Sequence, residues 1–419
     1  MSNRLFIKRR TLPNGIRLIQ FPRPQNMTSQ LSVVVEYGSK SDPEKNAGLA
    51  HFLEHMLPGG SMERVKLCRS IEQNGGYVNF FTDYEYTIGI TDVLPEKLSE
   101  ASKILLKLFF NSSFEEKKFD LERKIISNEI DESSDDPDTE IDDMLRKNLY
   151  KNHPIRHPIL GYHKTVSQLS NEEMEETHRT QYVPQNTILI LTGKFSNKDV
   201  ESIIQDFGEV NKTQTKLKKY KYIEKGKPRK EWVRTKTGIS QTYLSVGSRT
   251  VSGTHNDDPA MDIFSTLIGN GVSSRLFREL REKRALAYKI ESSNCNGSDF
   301  GFFSICCAIK PNKLKTTTDL ILKEITKIKT KKISNAELLK CKNMLIGDLF
   351  RGIYDPLNLH AVLASMEILF GHKYALQKYV ERIQLVSVDE LIEVANKYLG
   401  ESNLSQAVLT PEEMDKCAI

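Results

Sequence analysis

Residues 48–57 of this 419-residue chain read Gly48-Leu49-Ala50-His51-Phe52-Leu53-Glu54-His55-Met56-Leu57. Two histidines are four positions apart, and a glutamate directly precedes the second one. On a helix, His51 and His55 lie on the same face, about 6 Å apart along the axis, which is close enough to share one metal ion. Glu54 lies on the neighbouring face, where it can reach a water beside the metal rather than the metal itself. The stretch therefore predicts a metal-binding helix.

The spacing H-x-x-E-H is the inverted form of the H-E-x-x-H motif of zinc peptidases. In such motifs the histidines bind zinc and the glutamate acts as the general base. A pattern with three fixed positions in five also arises by chance, so two surface histidines on an ordinary helix are the alternative interpretation. The rest of the chain has to decide between the two.

A zinc site needs a third protein ligand, and a catalytic site keeps its fourth position for water. Glu122 and Glu129 are the best candidates, because residues seven apart share one face of a helix over two turns. Either glutamate could ligate zinc, and the other could hold a ligand histidine in its tautomer. The alternative interpretation is an ordinary charged helix.

Composition argues against two classes of partner. A net charge of +5 is modest for this length and does not indicate nucleic acid. No apolar run reaches the roughly 18 residues that span a bilayer, so no membrane is expected. The six cysteines form no Cys-x-x-Cys pair, which favours a reducing compartment. The N-terminal residues 1–20 lack the apolar segment of a secretory signal, and we therefore expect a cytoplasmic protein.

The chain is long enough for two or more domains. Residues 205–236 are rich in lysine and arginine, which indicates a solvated linker; a polyanion-binding patch is disfavoured because aromatic residues are sparse. Beyond this segment the pattern starts again, since residues 29–33 resemble residues 240–246. Each run leads to a glycine, a polar loop and a helix, but the second helix, 259–269, has neither histidine nor glutamate. This weak repeat predicts two copies of one unit, of which only the first kept a metal site.

We therefore predict an α+β fold with two homologous domains, each a mostly antiparallel sheet with helices packed on one face. The predicted borders are 1–210 for the catalytic zinc-binding domain, 211–236 for the basic linker and 237–419 for a second, metal-free domain.

Taken together, the motifs resemble the pitrilysin and mitochondrial-processing-peptidase family of zinc metallopeptidases, inverzincins of the short two-domain type. The resemblance runs over nearly the whole chain, and several motifs in the same order are more specific than any one of them. The stretches that carry it are 48–57, Asn74-Gly75-Gly76-Tyr77-Val78-Asn79-Phe80-Phe81-Thr82, Glu122-Arg123 with Asn128-Glu129-Ile130, Ser273-Ser274-Arg275-Leu276-Phe277 and Leu280-Arg281-Glu282-Lys283-Arg284-Ala285-Leu286-Ala287-Tyr288.

The resemblance implies one Zn²⁺ per chain. His51, His55 and Glu129 would ligate it. Glu54 would be the general base that activates water, and Glu122 would support a ligand histidine from behind.

The resemblance also implies where a peptide substrate binds. Asn79 and Thr82 would lie beside the zinc, where similar enzymes bind the substrate backbone as an added strand. Arg281 and Tyr288, seven apart in the second half, match the pair that holds the substrate near the scissile bond. The chain departs from the family around the expected substrate pocket, at 58–61, Phe80 and Arg284.

The implied function is a zinc-dependent endopeptidase that hydrolyses unfolded peptides or small polypeptides inside a clamshell chamber. The chain carries one pair of units, so a homodimer could be complete if the second half of one subunit served the zinc of the other. One alternative is the catalytic half of a heterodimer that processes a specific precursor peptide. The other is a non-peptidase assembly subunit, against which the intact metal motif argues.

Acidic residues are frequent between 131 and 143. If they lined a substrate chamber, they would favour basic peptides. The preferred interpretation is a solvated loop and the start of a helix, where acidic side chains are favourable.

Overall fold

The structure is a computed structural model that describes residues 7–111, 113–212, 217, 221–330, 333–371 and 376–411. The chain forms two compact units. The first unit comprises Met1–Glu132, His157–Tyr220 and Ile353–Ala375, and the second comprises Ser133–Arg156, Lys221–Gly352 and Leu376–Ile419.

Runs of strands are followed by runs of helices along the described residues. The strands are β1 (Lys8–Thr11), β2 (Arg17–Pro22), β3 (Ser29–Val35), β4 (Tyr77–Thr82), β5 (Thr87–Val93), β6 (Thr187–Gly193), β7 (Glu231–Thr235), β8 (Thr242–Arg249), β9 (Ala287–Asn296), β10 (Gly301–Ile309) and β11 (Leu404–Thr410). The α-helices are α1 (Leu49–Gly59), α2 (Met62–Gln73), α3 (Leu98–Phe110), α4 (Glu116–Asp135), α5 (Pro137–Leu149), α6 (His163–Gln168), α7 (Asn171–Gln181), α8 (Asn197–Gly208), α9 (Asp258–Gly269), α10 (Leu314–Thr330), α11 (Asn335–Gly352), α12 (Pro356–Phe370), α13 (Leu376–Leu385) and α14 (Val388–Tyr398). In the part of the chain that is described, no helix combines the length and the apolar character needed to cross a membrane.

The first unit is built on a sheet with the strand order β1-β2-β6-β3-β5-β4. The pairs are antiparallel except β2 and β6, which run parallel. Strands β3 and β6 are rich in β-branched and leucine residues and are buried along their whole length. Strand β4 lies at the edge of this sheet, where its backbone pairs with β5 on one side only among the described strands.

Helices α1 and α3 pack against this sheet. Helix α1 buries Leu49, Phe52, Leu53 and Met56, which recur at helical spacing along one face. Burying each of these large side chains stabilises the unit by roughly 1.5–3 kcal/mol. Because this face is held in the core, the rotation of α1 about its axis is set.

The opposite face of the same sheet is covered by α12. His360 on this helix is fully buried, and its two ring nitrogens lie 2.7 Å from Ser32 Oγ and 2.8 Å from Thr192 Oγ1. The side chains of Ser32 on β3 and Thr192 on β6 project away from the main core. The first unit therefore has a main helical layer on one face and helix α12 on the other.

The second unit repeats the design with a sheet of order β7-β11-β8-β10-β9, in which only β7 and β11 pair in parallel. Helix α9 occupies the place of α1 in the chain order and is buried along nearly its whole length. Helix α5 packs against β8 and β11. The predicted α+β class with two mostly antiparallel sheets is confirmed.

The predicted linker, 211–236, falls partly on residues 213–216 and 218–220, which lie outside the described residues. Strand β7 occupies its last part and joins the second sheet beside β11. The borders at 210 and 237 stay predictions, because the compact units are defined by packing and not by the sequence repeat.

Candidate metal centre

Helix α1 places the two histidines of the motif next to each other. The rings of His51 and His55 lie edge to face, with centroids 4.7 Å apart. Their side chains are 12% and 16% exposed, so both are accessible to an ion yet largely shielded from bulk water. This placement follows from the apolar stripe on the other side of the helix.

Helix α4 brings the two glutamates to the same place. Its buried Phe119 stacks on Phe52 of α1 with ring centroids 4.7 Å apart, and Ile126 is buried two turns later. Glu122 and Glu129 each follow one of these apolar residues by three positions, so the face that packs also carries both carboxylates.

Glu129 faces both histidines. Its Oε2 lies 3.3 Å from His55 Nε2 and 3.8 Å from His51 Nε2. One ligand atom from each of these three residues lies within 4.8 Å of the others, and no other such group of three occurs among the described residues. On a tetrahedral zinc, ligand atoms about 2.1 Å from the ion are roughly 3.4 Å from one another. The two histidines and Glu129 therefore fit a zinc ion with small side-chain adjustments.

Glu122 has a different geometry. Its Oε2 lies 3.1 Å from Nδ1 of His55, on the side of the ring away from Glu129. If Nδ1 donates its proton to Glu122, the lone pair of Nε2 points towards Glu129. The packing thus separates two glutamates that helix spacing alone left as equivalent candidates.

Burial and neighbouring charges set the protonation of the histidines. Burial, helped by the adjacent His55, lowers the pKa of His51 to about 3, so His51 is neutral at pH 7, as a ligand must be. Burial also opposes protonation of His55, but the hydrogen bond to Glu122 and the surrounding carboxylates outweigh it and raise the pKa of His55.

Glu54 lies beside the three candidate ligands without being one of them. Its Oε2 is 3.9 Å from His51 Nε2, and Thr82 Oγ1 donates a hydrogen bond to the same oxygen at 3.4 Å. Burial raises the pKa of Glu54 to about 7, with His55 lowering it and Glu129 raising it. A carboxylate that titrates near neutral pH is suited to accept and return a proton.

Asn79 and Thr82 both lie on the edge strand β4, but their side chains differ in role. Thr82 contacts Glu54, whereas Asn79 lines a cavity of about 410 Å³ next to Glu54 and His55. Phe80, at one of the positions where the chain departs from the family, forms part of the cavity wall. Other wall residues were not predicted, because isolated positions carry no signal for a pocket: Val65, Cys68, Arg69, Glu72 and Val78.

Arg281 and Tyr288 meet within the second unit. Arg281 Nη1 donates a hydrogen bond to the carbonyl oxygen of Tyr288 at 2.8 Å, and its guanidinium carbon lies 4.5 Å from the centroid of the Tyr288 ring. The Tyr288 side chain is 75% exposed. Between Arg281 and Tyr288 in the sequence, Ala285 adopts a φ of 48°, a left-handed conformation that favours glycine. The structure thus brings this predicted pair into contact and leaves the tyrosine free to reach a ligand.

Several of the acidic residues between 131 and 143 have partners in the structure. Asp136 accepts hydrogen bonds from the first backbone N–H groups of α5. Glu140 pairs with Arg234 and Lys236, and Asp138 lies 3.2 Å from Lys289 Nζ. These contacts favour the interpretation as a helix start over that of a substrate-facing acidic surface.

Both halves of the chain match the same peptidase family. Residues 19–162 match the family described as "Insulinase (Peptidase family M16)", and residues 168–345 match the one described as "Peptidase M16 inactive domain". The second description agrees with the absence of a histidine motif from α9. These matches confirm the resemblance inferred from the motifs.

Relatives match over nearly their full length. An uncharacterized zinc protease of Bacillus subtilis is 26% identical over 407 residues, which cover 97% of this chain and 98% of the relative. An uncharacterized zinc protease of Rickettsia felis is 27% identical over 413 residues, 96% of this chain and 97% of the relative. The chain is thus similar to proteins that are named zinc proteases.

Solved structures share the fold. A protease from Helicobacter pylori superposes with a TM-score of 0.89 at 22% identity, covering 97% of this chain and 99% of that one. A structure from Pseudomonas fluorescens, titled as a peptidase M16 inactive domain, gives a TM-score of 0.88 at 19% identity over 98% of this chain and 99% of that one. At these identities the likeness concerns the fold alone.

Proposed function

Because the chain belongs to peptidase family M16, we propose that it is a zinc-dependent endopeptidase that hydrolyses unfolded peptides or small polypeptides in the cytoplasm. One observation carries this proposal: the ligand atoms of His51, His55 and Glu129 lie within 4.8 Å of one another, with the carboxylate of Glu54 beside them. The names of the relatives, zinc proteases, support the choice of metal.

The donor set is that of a catalytic zinc site. Two imidazole nitrogens and one carboxylate oxygen leave a fourth position open, whereas structural sites are closed by four protein ligands. Zinc, when bound, would polarise the scissile carbonyl and lower the pKa of water towards about 7. Glu122 would keep His55 in the tautomer that offers Nε2.

Glu54 would move the proton. Its carboxylate takes a proton from the attacking water and returns it to the nitrogen of the leaving amine. Burial raises the pKa of Glu54, whereas the charge of a bound zinc would lower it, and Glu54 lies beside the candidate ligands without being one of them. The hydrogen bond from Thr82 orients the carboxylate, so we assign Thr82 to positioning of Glu54 as well as to the substrate edge.

The edge strand β4 would hold the substrate. An extended peptide can add to its free side as a further strand, which a folded protein cannot do. The cavity beside Glu54 and Asn79 would then accept a side chain next to the scissile bond. This arrangement explains why we expect unfolded peptides as substrates.

Tyr288 would donate a hydrogen bond to the oxygen that becomes negative during hydrolysis. Such a donor contributes about 3 kcal/mol to the transition state. We propose that two copies form a homodimeric clamshell, in which Arg281 and Tyr288 of one copy serve the zinc site of the other. A heterodimer with a related chain would supply the same pair from a different partner.

Glu54→Gln tests the proposed chemistry. The purified variant should retain zinc and lose turnover of a quenched fluorescent peptide library, since Glu54 is not a ligand. Glu63→Gln, an exposed residue on α2, is the matched control and should cleave like the wild type. Wild-type turnover by Glu54→Gln, or activity that survives removal of zinc by a chelator, would refute the proposed function.

Mixing two inactive variants tests the homodimer. Glu54→Gln and Tyr288→Phe homodimers should regain activity after subunit exchange, because a mixed dimer has one site with both groups intact. With random exchange, half of the dimers are mixed and one of their two sites works, which gives about a quarter of wild-type activity. Mixtures that stay inactive although subunit exchange has been demonstrated would contradict the proposal that Tyr288 of one subunit acts at the zinc site of the other.

A further inference from the structure

Two buried charged side chains outside the ligand set contact the ends of α1. Asp42 is 5% exposed and Arg64 is 3% exposed. We propose that Asp42 and Arg64 clamp the two ends of α1 and thereby position His51 and His55 for zinc. The inference rests on the proposed function and assigns both residues to positioning, since neither touches a ligand.

The N-terminal end of α1 has no cap of its own. The residue before the helix, Gly48, has a φ of 100° and no side chain to offer. Asp42 supplies the cap from six residues earlier: its carboxylate accepts hydrogen bonds from Gly48 N at 3.0 Å and from Ala50 N at 3.1 and 3.2 Å. Tyr37 Oη donates to the same carboxylate at 3.0 Å. An acidic group satisfies the otherwise unpaired N–H groups and complements the positive end of the helix.

Arg64, on α2, holds the C-terminal end. Its Nη1 donates to the carbonyl oxygens of Leu57 on α1, at 2.9 Å, and of Leu108 on α3, at 2.7 Å, while its Nη2 donates to the carbonyl of Asn111. These carbonyls lie at helix C-termini, where no intrahelical partner exists and a cation is favourable. One guanidinium therefore ties α1 to α3.

Both histidines lie close to this clamp. The N–H that Asp42 binds on Ala50 directly precedes His51, and the carbonyl that Arg64 binds on Leu57 is two residues after His55. Apolar packing against the sheet is non-directional and permits small slides of a helix, whereas hydrogen bonds at both ends do not. Zinc affinity depends on ligand positions to within about 0.2 Å, so a slide that the core tolerates would weaken the site.

The test compares Asp42→Asn and Arg64→Lys with Asn14→Ala. The first variant keeps the size of the side chain but replaces one acceptor by a donor, and the second keeps the charge but cannot reach three carbonyls. Asn14 is also buried and also donates to carbonyl oxygens at a helix end, that of Phe207 on α8 and that of Val210 just after it, and α8 carries no site residue. The measurements are the dissociation constant of Zn²⁺, by competition with a chromophoric chelator, and the unfolding midpoint of the metal-free protein.

We expect Asp42→Asn and Arg64→Lys each to weaken zinc binding by about tenfold or more, the scale seen when the support of a metal ligand is removed. Asn14→Ala should lower the unfolding midpoint and leave zinc affinity unchanged. Wild-type zinc affinity in both clamp variants, despite a loss of stability similar to that of Asn14→Ala, would overturn the inference.

Two further arrangements keep the test decisive. Where Asp42→Asn does not fold, Tyr37→Phe replaces it, because this change removes only one donor to Asp42. An unchanged zinc affinity there counts against the clamp, and a weaker one supports it. A wild-type chain that binds no zinc would refute the proposed function itself. Clamp variants that bind zinc as tightly as the wild type would overturn only the clamp inference.

Discussion

Replacing Gly59 by alanine should weaken zinc binding while leaving the fold intact. A Cβ atom at this position would lie 2.9 Å from Cδ of Glu122 and closer still to its Oε1. Ordinary contact begins at 3.4 Å, so the carboxyl carbon must move by at least 0.5 Å (3.4 minus 2.9). Because the colliding group is the end of a flexible side chain, the helix itself can keep its place, and alanine favours helix more than glycine does.

The displacement acts on His55. Its Nδ1 is 3.1 Å from Glu122 Oε2, and a further 0.5 Å of separation would bring the pair to about 3.6 Å, beyond a hydrogen bond. Losing such a support typically weakens metal binding by about 10- to 100-fold. That range corresponds to about 1.4–2.8 kcal/mol of binding free energy.

A double-mutant cycle provides the assay. Zinc dissociation constants of the wild type, Gly59→Ala, Glu122→Gln and the double variant are measured by chelator competition, together with the unfolding midpoints of the metal-free proteins. If Gly59 acts only by making room for Glu122, the double variant binds zinc no more weakly than Glu122→Gln alone. Wild-type affinity in Gly59→Ala, or a double variant that loses the sum of both effects, would refute this reasoning.

Three other outcomes follow from the structure. Burial raises the pKa of Asp262, so the folded state loses stability as the pH rises from the ordinary carboxyl pKa through the raised value. Asp262→Asn should reduce the difference between the free energies of urea unfolding at pH 4.5 and at pH 7.5, and an unchanged difference would exclude this contribution. Tyr288→Phe should lower kcat by about 10²-fold with zinc content unchanged, which steady-state kinetics and metal analysis of the zinc-loaded enzyme can check. A wild-type kcat in this variant would contradict a role for Tyr288 in stabilising the oxyanion. His51→Ala should lose zinc on dialysis, and full metal content afterwards would contradict ligation by His51.

Much of the candidate site could be read from the sequence because helix geometry is local. Residues four apart share a helix face whatever surrounds them, so the spacing of His51 and His55 already indicates a shared ion. The apolar residues between them also determine which side of α1 is buried. The same argument placed Glu122 and Glu129 together on one face of α4.

Helix spacing could not choose between those two glutamates; only the family resemblance assigned Glu129 to the metal and Glu122 to its support. The choice depends on how α4 is rotated and shifted against α1, which the stacking of Phe52 on Phe119 decides. Thr82 shows the same limit: the resemblance placed it beside the zinc, but its hydrogen bond to Glu54 was not predicted.

The supports of α1 depend still more on tertiary structure. Arg64 donates a hydrogen bond to a carbonyl oxygen 44 positions away. In the sequence nothing distinguishes it from the other lysines and arginines, which number 60 with it. The room that Gly59 leaves for Glu122, 63 positions later, has no local signature either. Sequence alone thus determined the motif helix, the repeat of two sheet-and-helix units and the candidate ligands, because periodicity and turn chemistry act between near neighbours. Tertiary structure alone decided which carboxylate faces both histidines and what holds the helix ends, because those contacts join residues that only the packed core brings together.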